Sequence, residues 1–582
     1  MRGVALGVAL VVMGLYFVGL GGGPFVDPPE GFHAGVAQSM RATGDVVAPR
    51  ANGVRYFDKP PLLYWLMAGS FGVAGPTPFA ARVWSALAAV GVAAVTARLG
   101  VLLGGPRLGL LAGLMVAANL GMFLYGRIVK PDMVFILWIL LAYAGFVLAY
   151  QGRSRRGLAL FYVSLGLATL TKDILGALGP LIVIGVFFWL TRERPLAPWV
   201  PWWGVALAAG IALPWYLLVE SRNSGFLWYT IVDNHVLNFT RQRVFPDEDV
   251  PLGSVEFLVV TLLAFLPWTL ALPWAILRAF RRPWQDATAR LWLLFGLWAV
   301  LVVGFFTVSP FKLPHYGLPA FPALALLVAR AWDETLDGTP GSARPRTLMA
   351  PLLVLFAAAA TALWLVWGGV VRIPEEALAS LDVATRNLAA RGQAGVQAPL
   401  DPWLPILLRG AVITSVATAA MAVAVWRHAA ALGVGIALAT TIAFLPAVAS
   451  EGMAQFGRAR AITPVADALA RRLAPDDVVA HEGSIENGAA LLLRVARPVR
   501  IVNGLQSNLA FGATFPDARG TFWDSPRLEA AWAGPQRVFL VSGVGPARSV
   551  VRALPAGRVH LLAQGGGRRL YSNLADRAAG DR

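Results

Sequence analysis

The sequence predicts an all-α polytopic membrane protein that ends in a small α/β or α+β domain. Of its 582 residues, 57% are hydrophobic and only 14% are charged, whereas a soluble domain is nearer half apolar and a quarter charged. Runs of roughly 20 apolar residues recur, each long enough to cross a bilayer as a helix, and these runs cease after Ser450. Transmembrane barrel strands would instead alternate polar and apolar residues.

Hydropathy predicts about 13 transmembrane helices. Their centres lie near Val11, Val90, Met115, Leu140, Leu165, Val183, Leu207, Phe265, Trp298, Ala325, Phe356, Ser415 and Ile436. We expect the first span to be an uncleaved anchor, because residues 21–29 contain no A-x-A-like cleavage site and run into an acidic, proline-rich loop.

Arginines cluster at alternate connections between the predicted spans. The clusters are Arg153, Arg155 and Arg156; Arg192 and Arg194; Arg278, Arg281, Arg282 and Arg290; and Arg330, Arg344 and Arg346. A cytoplasmic N-terminus places all four inside the cell, as the positive-inside rule requires. The net charge of +17 is dispersed over such loops, where it contacts anionic membrane lipids. This distribution argues against a nucleic-acid partner.

The predicted outer face carries three long loops, residues 21–78, 220–254 and 371–402. We assign residues 1–449 to a transmembrane domain and residues 450–582 to a C-terminal domain on the same outer face.

Within the first loop, residues 30–44 predict one short helix. The apolar segment after Pro60 and Pro61 predicts a second, interfacial helix. Cysteine is absent, which excludes disulfides and thiolate metal sites.

Ionisable residues gather in five connections on the predicted outer face. They are Asp27, Glu30, His33, Asp58 and Lys59; Arg127, Lys130 and Asp132; Lys172 and Asp173; Glu220, Arg222, Asp233, His235, Arg241 and Arg243; and Lys312 and His315. Any one cation at a span end could simply snorkel to the interface. Together, the five connections predict a shared polar cavity, because ionisable groups near membrane depth usually serve function.

Cations and carboxylates in one cavity suit a substrate with an anionic group and a hydroxyl-rich part. Lysine and arginine neutralise phosphate, and carboxylates accept hydrogen bonds from hydroxyls or act as general bases. Departure of a glycosyl group from a phosphate leaves negative charge there, which nearby cations stabilise.

Several of these segments resemble one enzyme family in the same order along the chain. They are residues 46–65, with Tyr56-Phe57-Asp58-Lys59-Pro60-Pro61 at the centre; residues 127–132; Leu170-Thr171-Lys172; Pro214-Trp215-Tyr216; Asp233-Asn234-His235; and Lys312-Leu313-Pro314-His315-Tyr316. The pattern is similar to that of bacterial aminoarabinose transferases and related mannosyltransferase-like enzymes, which are GT-C-class membrane glycosyltransferases.

This resemblance implies transfer of a sugar from an undecaprenyl-phosphate (polyprenyl-phosphate) donor to a lipid A, glycan or protein acceptor. The reaction would take place at the periplasmic face of the bacterial inner membrane. The resemblance assigns catalytic roles to Asp132 and to Asp27, Glu30 or both. The first-loop assignment stays open because the family has two adjacent acidic residues there, whereas in this sequence Pro28 and Pro29 separate Asp27 from Glu30. Lys59, Arg127 and Lys172 or Lys312 would hold the phosphate, with His315 and Tyr56 as further substrate-binding residues.

The same resemblance associates Asp58 and His235 with a divalent metal, although two ligands are too few for a closed structural site. Two other functions remain open at this point. A transporter or flippase for a lipid-linked substrate should show paired halves and broken helices near the bilayer centre. A non-catalytic envelope assembly protein would use its C-terminal domain to bind partners.

Overall fold

The computed structural model describes residues 2–152, 154–246, 251–372, 374, 399–495 and 497–576. The predicted outer loop 371–402 lies largely outside these residues, as does Arg153. The first group of helices is α1 (Arg2–Phe17), α2 (Pro29–Thr43), α3 (Leu62–Ala74), α4 (Pro78–Gly104), α5 (Pro106–Ala117), α6 (Leu120–Tyr125), α7 (Asp132–Gly152), α8 (Arg155–Thr171), α9 (Leu175–Thr191), α10 (Trp202–Arg222), α11 (Ser254–Ala264), α12 (Leu272–Phe280), α13 (Ala287–Val308), α14 (Phe321–Leu336) and α15 (Pro345–Trp367).

The second group is α16 (Leu404–Trp426), α17 (Ala430–Phe444), α18 (Glu451–Arg460), α19 (Thr463–Ala470) and α20 (Ser525–Ala533). Two π-helical segments, Trp228–Leu237 and Leu445–Ser450, and a 3₁₀ segment, Pro314–Ala320, lie between helices of the bundle.

Within the part of the chain that the structure describes, seven helices are long and apolar enough to cross a membrane, or eight if the bent pair α11–α12 forms one span. Each predicted span centre falls within a helix, except Phe265, which lies at the 105° bend of that pair. Other apolar helices at predicted spans, among them α5 and α9, are shorter than these seven. The total of 13 spans therefore stays a prediction. The chain is a multi-pass membrane protein.

Ion pairs tie the helices together at one end of the bundle. Arg107, in the first turn of α5, pairs with Asp333 and Asp337 at the end of α14, each at 2.6 Å. Glu334 on the same helix accepts both Arg278 at 3.1 Å and Arg330 at 2.7 Å. Arg278 and Arg330 belong to two of the arginine clusters that the positive-inside rule places on one side of the membrane.

The loop between α1 and α4 contains the two predicted helices. α2 begins at Pro29 and ends where Gly44 adopts a left-handed conformation at φ 72°, which favours glycine because it lacks a Cβ. α3 follows Pro60 and Pro61, as the sequence indicated. Between the helices, β1 (Arg50–Ala51) and β2 (Val54–Arg55) form a short antiparallel hairpin.

The residues after α19 form a six-stranded mixed sheet in the order β5-β4-β3-β6-β8-β7. The strands are β3 (Val478–Glu482), β4 (Arg500–Val502), β5 (Phe522–Trp523), β6 (Val538–Ser542), β7 (His560–Gly565) and β8 (Arg568–Ser572). The first four are parallel, whereas β8 is antiparallel to β6 and β7. Strand β6 is buried along its whole length, and its residues 538–541 read as an apolar run, as expected for a strand covered on both faces.

This sheet region packs directly on the loop between α1 and α4. Asp517 pairs with Arg50 at 2.7 Å and with Arg55 at 2.8 Å. Asn52 exchanges two hydrogen bonds with the backbone of Val499. Phe511 stacks on Tyr229 of the π-helical segment with ring centroids 4.5 Å apart. The C-terminal sheet and the end of the helical bundle therefore share an interface.

The close approach of α7 and α8 depends on glycine. A Cβ on Gly145 would lie 2.5 Å from the backbone nitrogen of Phe161, and one on Gly157 would lie 2.7 Å from that of Ala149. These distances are shorter than a carbon atom allows. The contact sets the spacing between two helices whose ends carry Asp132 and Lys172.

We expect Gly145→Ala to destabilise the protein by about 1–3 kcal/mol, because the added methyl group forces the two backbones apart. Gly152→Ala, at the open end of the same helix with no atom within 4 Å of its Cβ position, is the matched control. Thermal unfolding of the detergent-purified protein measures both effects, and equal midpoints for the two variants would contradict this packing.

Candidate active site

A cavity of about 480 Å³ opens at the end of the bundle that contacts the C-terminal sheet. Its wall combines the loop between α1 and α4, the ends of α6 and α8, the start of α7, the π-helical segment that bears His235, and the segment after α13 that bears His315. It therefore brings all five charged connections together. Of the residues predicted for the site, the cavity is lined by Asp27, Glu30, Tyr56, Asp58, Lys59, Asp132, Lys172, His235 and His315.

Asp132 lies at the centre of one charged cluster. Its carboxylate accepts a hydrogen bond from the Lys172 ammonium at 2.6 Å and lies 3.5 Å from Nε2 of His315. All three side chains are largely buried. Burial lowers the pKa of His315 well below its usual value, so the imidazole is neutral at physiological pH. The cluster is then a carboxylate paired with one ammonium.

Asp58 and Lys59 form a second cluster on the opposite loop. The Lys59 ammonium is bonded to the Asp58 carboxylate, and Arg243 lies 3.9 Å from its other oxygen. Burial opposes ionisation of Asp58, but Lys59 and Arg243 outweigh it and hold the pKa of Asp58 below its usual value. Arg243 is itself positioned by Asn234 at 2.6 Å and Asp233 at 3.6 Å.

Glu30 lines the cavity but is committed to structural contacts. Its two oxygens accept Arg82 at 2.6 and 2.7 Å and the backbone amides of Val26 and Val129 at 3.0 and 3.1 Å. Four donors occupy the carboxylate, and the side chain is completely buried. Glu30 therefore joins the loop between α1 and α4 to α4 itself and to the connection before α7.

Asp27 has a different environment. It is 1% exposed, and it accepts hydrogen bonds of 3.1 and 3.3 Å from the backbone amide of Ala490, in the C-terminal region. Burial raises the pKa of Asp27 to about 7, although Arg568, the Ala490 amide and Arg460 act in the opposite direction. Of the two first-loop acids, Asp27 thus keeps lone pairs and a pKa suited to proton transfer.

Two predicted phosphate-binding residues lie outside the cavity lining. Arg127 donates to the Tyr16 carbonyl at 2.6 Å and to the Ser450 hydroxyl at 3.0 Å. Lys312 donates to the Ser254 hydroxyl and to the carbonyls of Thr307 and Ser309 at 2.7–3.0 Å. Both bridge neighbouring elements because a buried cation needs such acceptors. The motif around Lys312 reaches the cavity instead through its neighbours Phe311, Leu313, His315 and Tyr316.

Aromatic and imidazole groups of α2 and of the loop after it form another part of the cavity wall. Tyr56 is buried, and its ring packs edge-on to Phe32 and Tyr64. The Tyr64 hydroxyl lies 2.8 Å from Nδ1 of His33. Burial, together with Lys130 and Lys59, lowers the pKa of His33 to about 3. Tyr56 and His33 consequently present neutral hydrogen-bonding groups among the charged ones.

Sequence reasoning missed the contribution of the C-terminal region to the wall. Arg460, at the end of α18, and Glu486 and Asn508, in the sheet region, line the cavity together with Met453 and Phe456. They lie more than 400 residues after Asp27 in the chain. Charged residues are dispersed throughout this region, so no local pattern distinguishes these from surface residues.

The predicted metal ligands do not by themselves fit a divalent ion. Nδ1 of His235 donates to the Thr230 carbonyl at 2.7 Å, which leaves Nε2 as a ligand atom. The Asp58 carboxylate, however, already pairs with Lys59 and Arg243. Among the described residues, no group of three or more His, Cys, Asp or Glu side chains could hold a metal.

The fold and the charged cavity define a class of protein. Two crystal structures of ArnT from Cupriavidus metallidurans superpose on the chain, each covering 98% of it and 97% of its own length. The apo state has a TM-score of 0.76 at 23% identity, and the state bound to undecaprenyl phosphate has 0.74 at 24%. The protein therefore has the fold of these two ArnT structures.

Sequence comparison then gives the family. The sequence model of the dolichyl-phosphate-mannose-protein mannosyltransferase family matches residues 58–217 of this chain. An undecaprenyl phosphate-alpha-4-amino-4-deoxy-L-arabinose arabinosyl transferase from Pseudomonas aeruginosa is 30% identical over 426 residues, which are 71% of this chain and 75% of the relative. The chain therefore belongs to the family of undecaprenyl phosphate-alpha-4-amino-4-deoxy-L-arabinose arabinosyl transferases, and the family resemblance read from the motifs is confirmed.

We expect Arg82→Met to destabilise the protein by about 3 kcal/mol or more, because it leaves the Glu30 carboxylate buried without its partner. The double variant Arg82→Met/Glu30→Gln should recover part of that loss. Thermal unfolding in detergent measures both. Additive losses in the double variant would show that Glu30 and Arg82 do not act as a pair.

Proposed function

We propose that this protein transfers 4-amino-4-deoxy-L-arabinose from undecaprenyl phosphate to a lipid A, glycan or protein acceptor. The observation that carries the proposal is the meeting of two carboxylate–cation clusters, around Asp132 and around Asp58, with Asp27 in one cavity. Family membership supports the donor, because the relative is named for this undecaprenyl-phosphate sugar.

In the proposed reaction, an acceptor oxygen forms a bond to the anomeric carbon while the bond from that carbon to the phosphate oxygen breaks. The leaving phosphate keeps the bonding electrons and changes from a phosphodiester with one negative charge to a monoester with about two. Lys59, Lys172 and Arg243 would stabilise the added charge, since preorganised cations act most strongly where charge develops.

The carboxylates would divide the remaining work. If the acceptor is a hydroxyl group, Asp27 would take its proton, because a base with a pKa near the working pH is the most effective. If the acceptor is a phosphate, it attacks as an anion and Asp27 would orient it. Asp132 pairs with Lys172 at 2.6 Å, and we assign it to the sugar hydroxyl or amino groups.

We further propose that the cavity faces the periplasm and that the chain crosses the bacterial inner membrane 13 times. The four arginine clusters support this orientation, and every predicted span centre lies in or next to a helix. Residues 1–449 would then be the transmembrane catalytic domain, and the sheet region within 450–582 a periplasmic domain. The polyprenyl tail of the donor would enter between helices from the bilayer.

A transporter is the alternative that the sequence left open. Such proteins carry broken helices in corresponding positions of two repeated halves. Among the described helices, one pair, α11–α12, is bent in this way, and neither helix lines the cavity. Together with the family, this geometry favours an enzyme. Mass spectrometry of the acceptor after incubation with the donor and the detergent-purified protein tests the choice, because an enzyme adds one sugar without a membrane to transport across, whereas a transporter adds none.

We expect Asp27→Asn and Asp132→Asn each to lower the transfer rate by about 100-fold or more, because both remove a carboxylate from the reacting groups. Asp45→Asn is the control, since Asp45 lies in the same loop outside the cavity and an asparagine oxygen can keep its two backbone contacts. Transfer is assayed in membranes with donor and lipid acceptor. Full activity in both variants would refute the assignment.

We also expect Lys59→Met to lower kcat more than it raises KM for the donor, because the phosphate gains charge only as the bond breaks. The predicted loss in kcat is on the order of 100-fold. Lys312→Met, which removes a cation outside the cavity, should leave kcat of the folded protein unchanged. The reverse ranking of these two variants would contradict the proposed phosphate site.

A further inference from the structure

The contact between Asp27 and the C-terminal sheet region is built from unusually close packing. A Cβ on Gly31 of α2 would lie 2.1 Å from the Asp27 carboxylate and 2.4 Å from the Ala490 amide nitrogen. No side chain fits there. Glycine at this position lets α2 approach the 3₁₀ segment Ile485–Leu493, which carries Ala490, so that the amide reaches the carboxylate.

A buried arginine holds that 3₁₀ segment in place. Arg568, the first residue of β8, donates two hydrogen bonds to the Asn487 carbonyl and one of 2.8 Å to the Arg460 carbonyl. It is 4% exposed. Its guanidinium thus links three elements, namely β8, the 3₁₀ segment and the end of α18. Arg460 itself lines the cavity, and Asn487 directly follows Glu486, which also lines it.

The charged groups that act on Asp27 come from the same elements. Arg568 on β8 and Arg460 on α18 favour the ionised carboxylate, whereas Glu30 on α2 opposes it. Burial lowers the pKa of Arg568 to about 10, so it remains charged at neutral pH. The C-terminal region therefore supplies the hydrogen-bond donor and both of these cations.

We propose that Arg568 and Gly31 are positioning residues for Asp27, through which the C-terminal sheet region sets the geometry and ionisation of the first-loop acid. The inference rests on the proposed role of Asp27 in transfer. It gives the sheet region a part in catalysis although no residue of the sheet itself needs to touch the reacting atoms.

Two pairs of variants test this without altering Asp27. Gly31→Ala inserts a methyl group between the carboxylate and the amide, whereas Gly35→Ala, one turn later on the same face, meets only Leu492 at 3.8 Å and is its control. Arg568→Gln removes the buried cation, and Arg569→Gln removes the adjacent, more exposed one. The readout is kcat and donor KM for transfer across pH.

We expect Gly31→Ala and Arg568→Gln to lower kcat about tenfold or more, because a small displacement of a reacting group is costly, with donor KM little changed. Arg568 lowers the pKa of Asp27, so its removal raises that pKa and moves the acidic limb of the pH–rate profile to higher pH. The two controls should retain the parent values of kcat and the parent pH profile.

The outcomes separate this inference from the proposed function. If Asp27→Asn abolishes transfer while Gly31→Ala and Arg568→Gln keep the parent kcat and pH profile, the positioning role is refuted and the catalytic one stands. If Asp27→Asn itself keeps full activity, the role of Asp27 fails and this inference fails with it. If the Arg568→Gln variant does not fold, the kcat and pH profile of Gly31→Ala alone decide whether the positioning role holds.

Discussion

Burying ionised side chains at one end of a helical bundle requires that each be paired, and this requirement shapes the whole site. An isolated charge removed from water is strongly destabilising, and a pair compensates only with good geometry. The Glu30 carboxylate is paired with Arg82 and accepts hydrogen bonds from two backbone amides, and the Asp132 carboxylate is paired with Lys172. Because the partners come from different helices and loops, satisfying the charges also fixes how those elements pack. The site and the fold are thus specified by the same contacts.

Pairing also separates residues of one chemical type into different roles. Arg127 and Lys312 use their donors on carbonyl and hydroxyl oxygens and serve the packing of the bundle. Lys59 and Lys172 instead pair with carboxylates on the cavity wall. An incoming phosphate can compete with these carboxylates for Lys59 and Lys172. The C-terminal region joins this arrangement at Asp27, where a backbone amide takes the place of a basic side chain.

Much of this was predictable from sequence, for identifiable reasons. Long apolar runs located the helices, because a bilayer-spanning segment must be apolar over its length. Clustering of charges in five connections predicted the cavity, and the paired prolines predicted where α3 begins. The sequence could not separate Glu30 from Asp27, since their roles depend on which donors surround them. Arg460 and Glu486 were missed because their approach to the cavity depends on long-range packing of the C-terminal region, which leaves no local pattern.

In the proposed function, a lipid-linked phosphate binds between the Asp132 and Asp58 clusters. Cryo-electron microscopy of the full chain in nanodiscs with undecaprenyl phosphate tests it most directly. We expect phosphate density within hydrogen-bonding distance of Lys59 and of Lys172 or Arg243, with Asp27 on the adjoining wall. Phosphate bound away from all three cations, with the cavity intact, would contradict it.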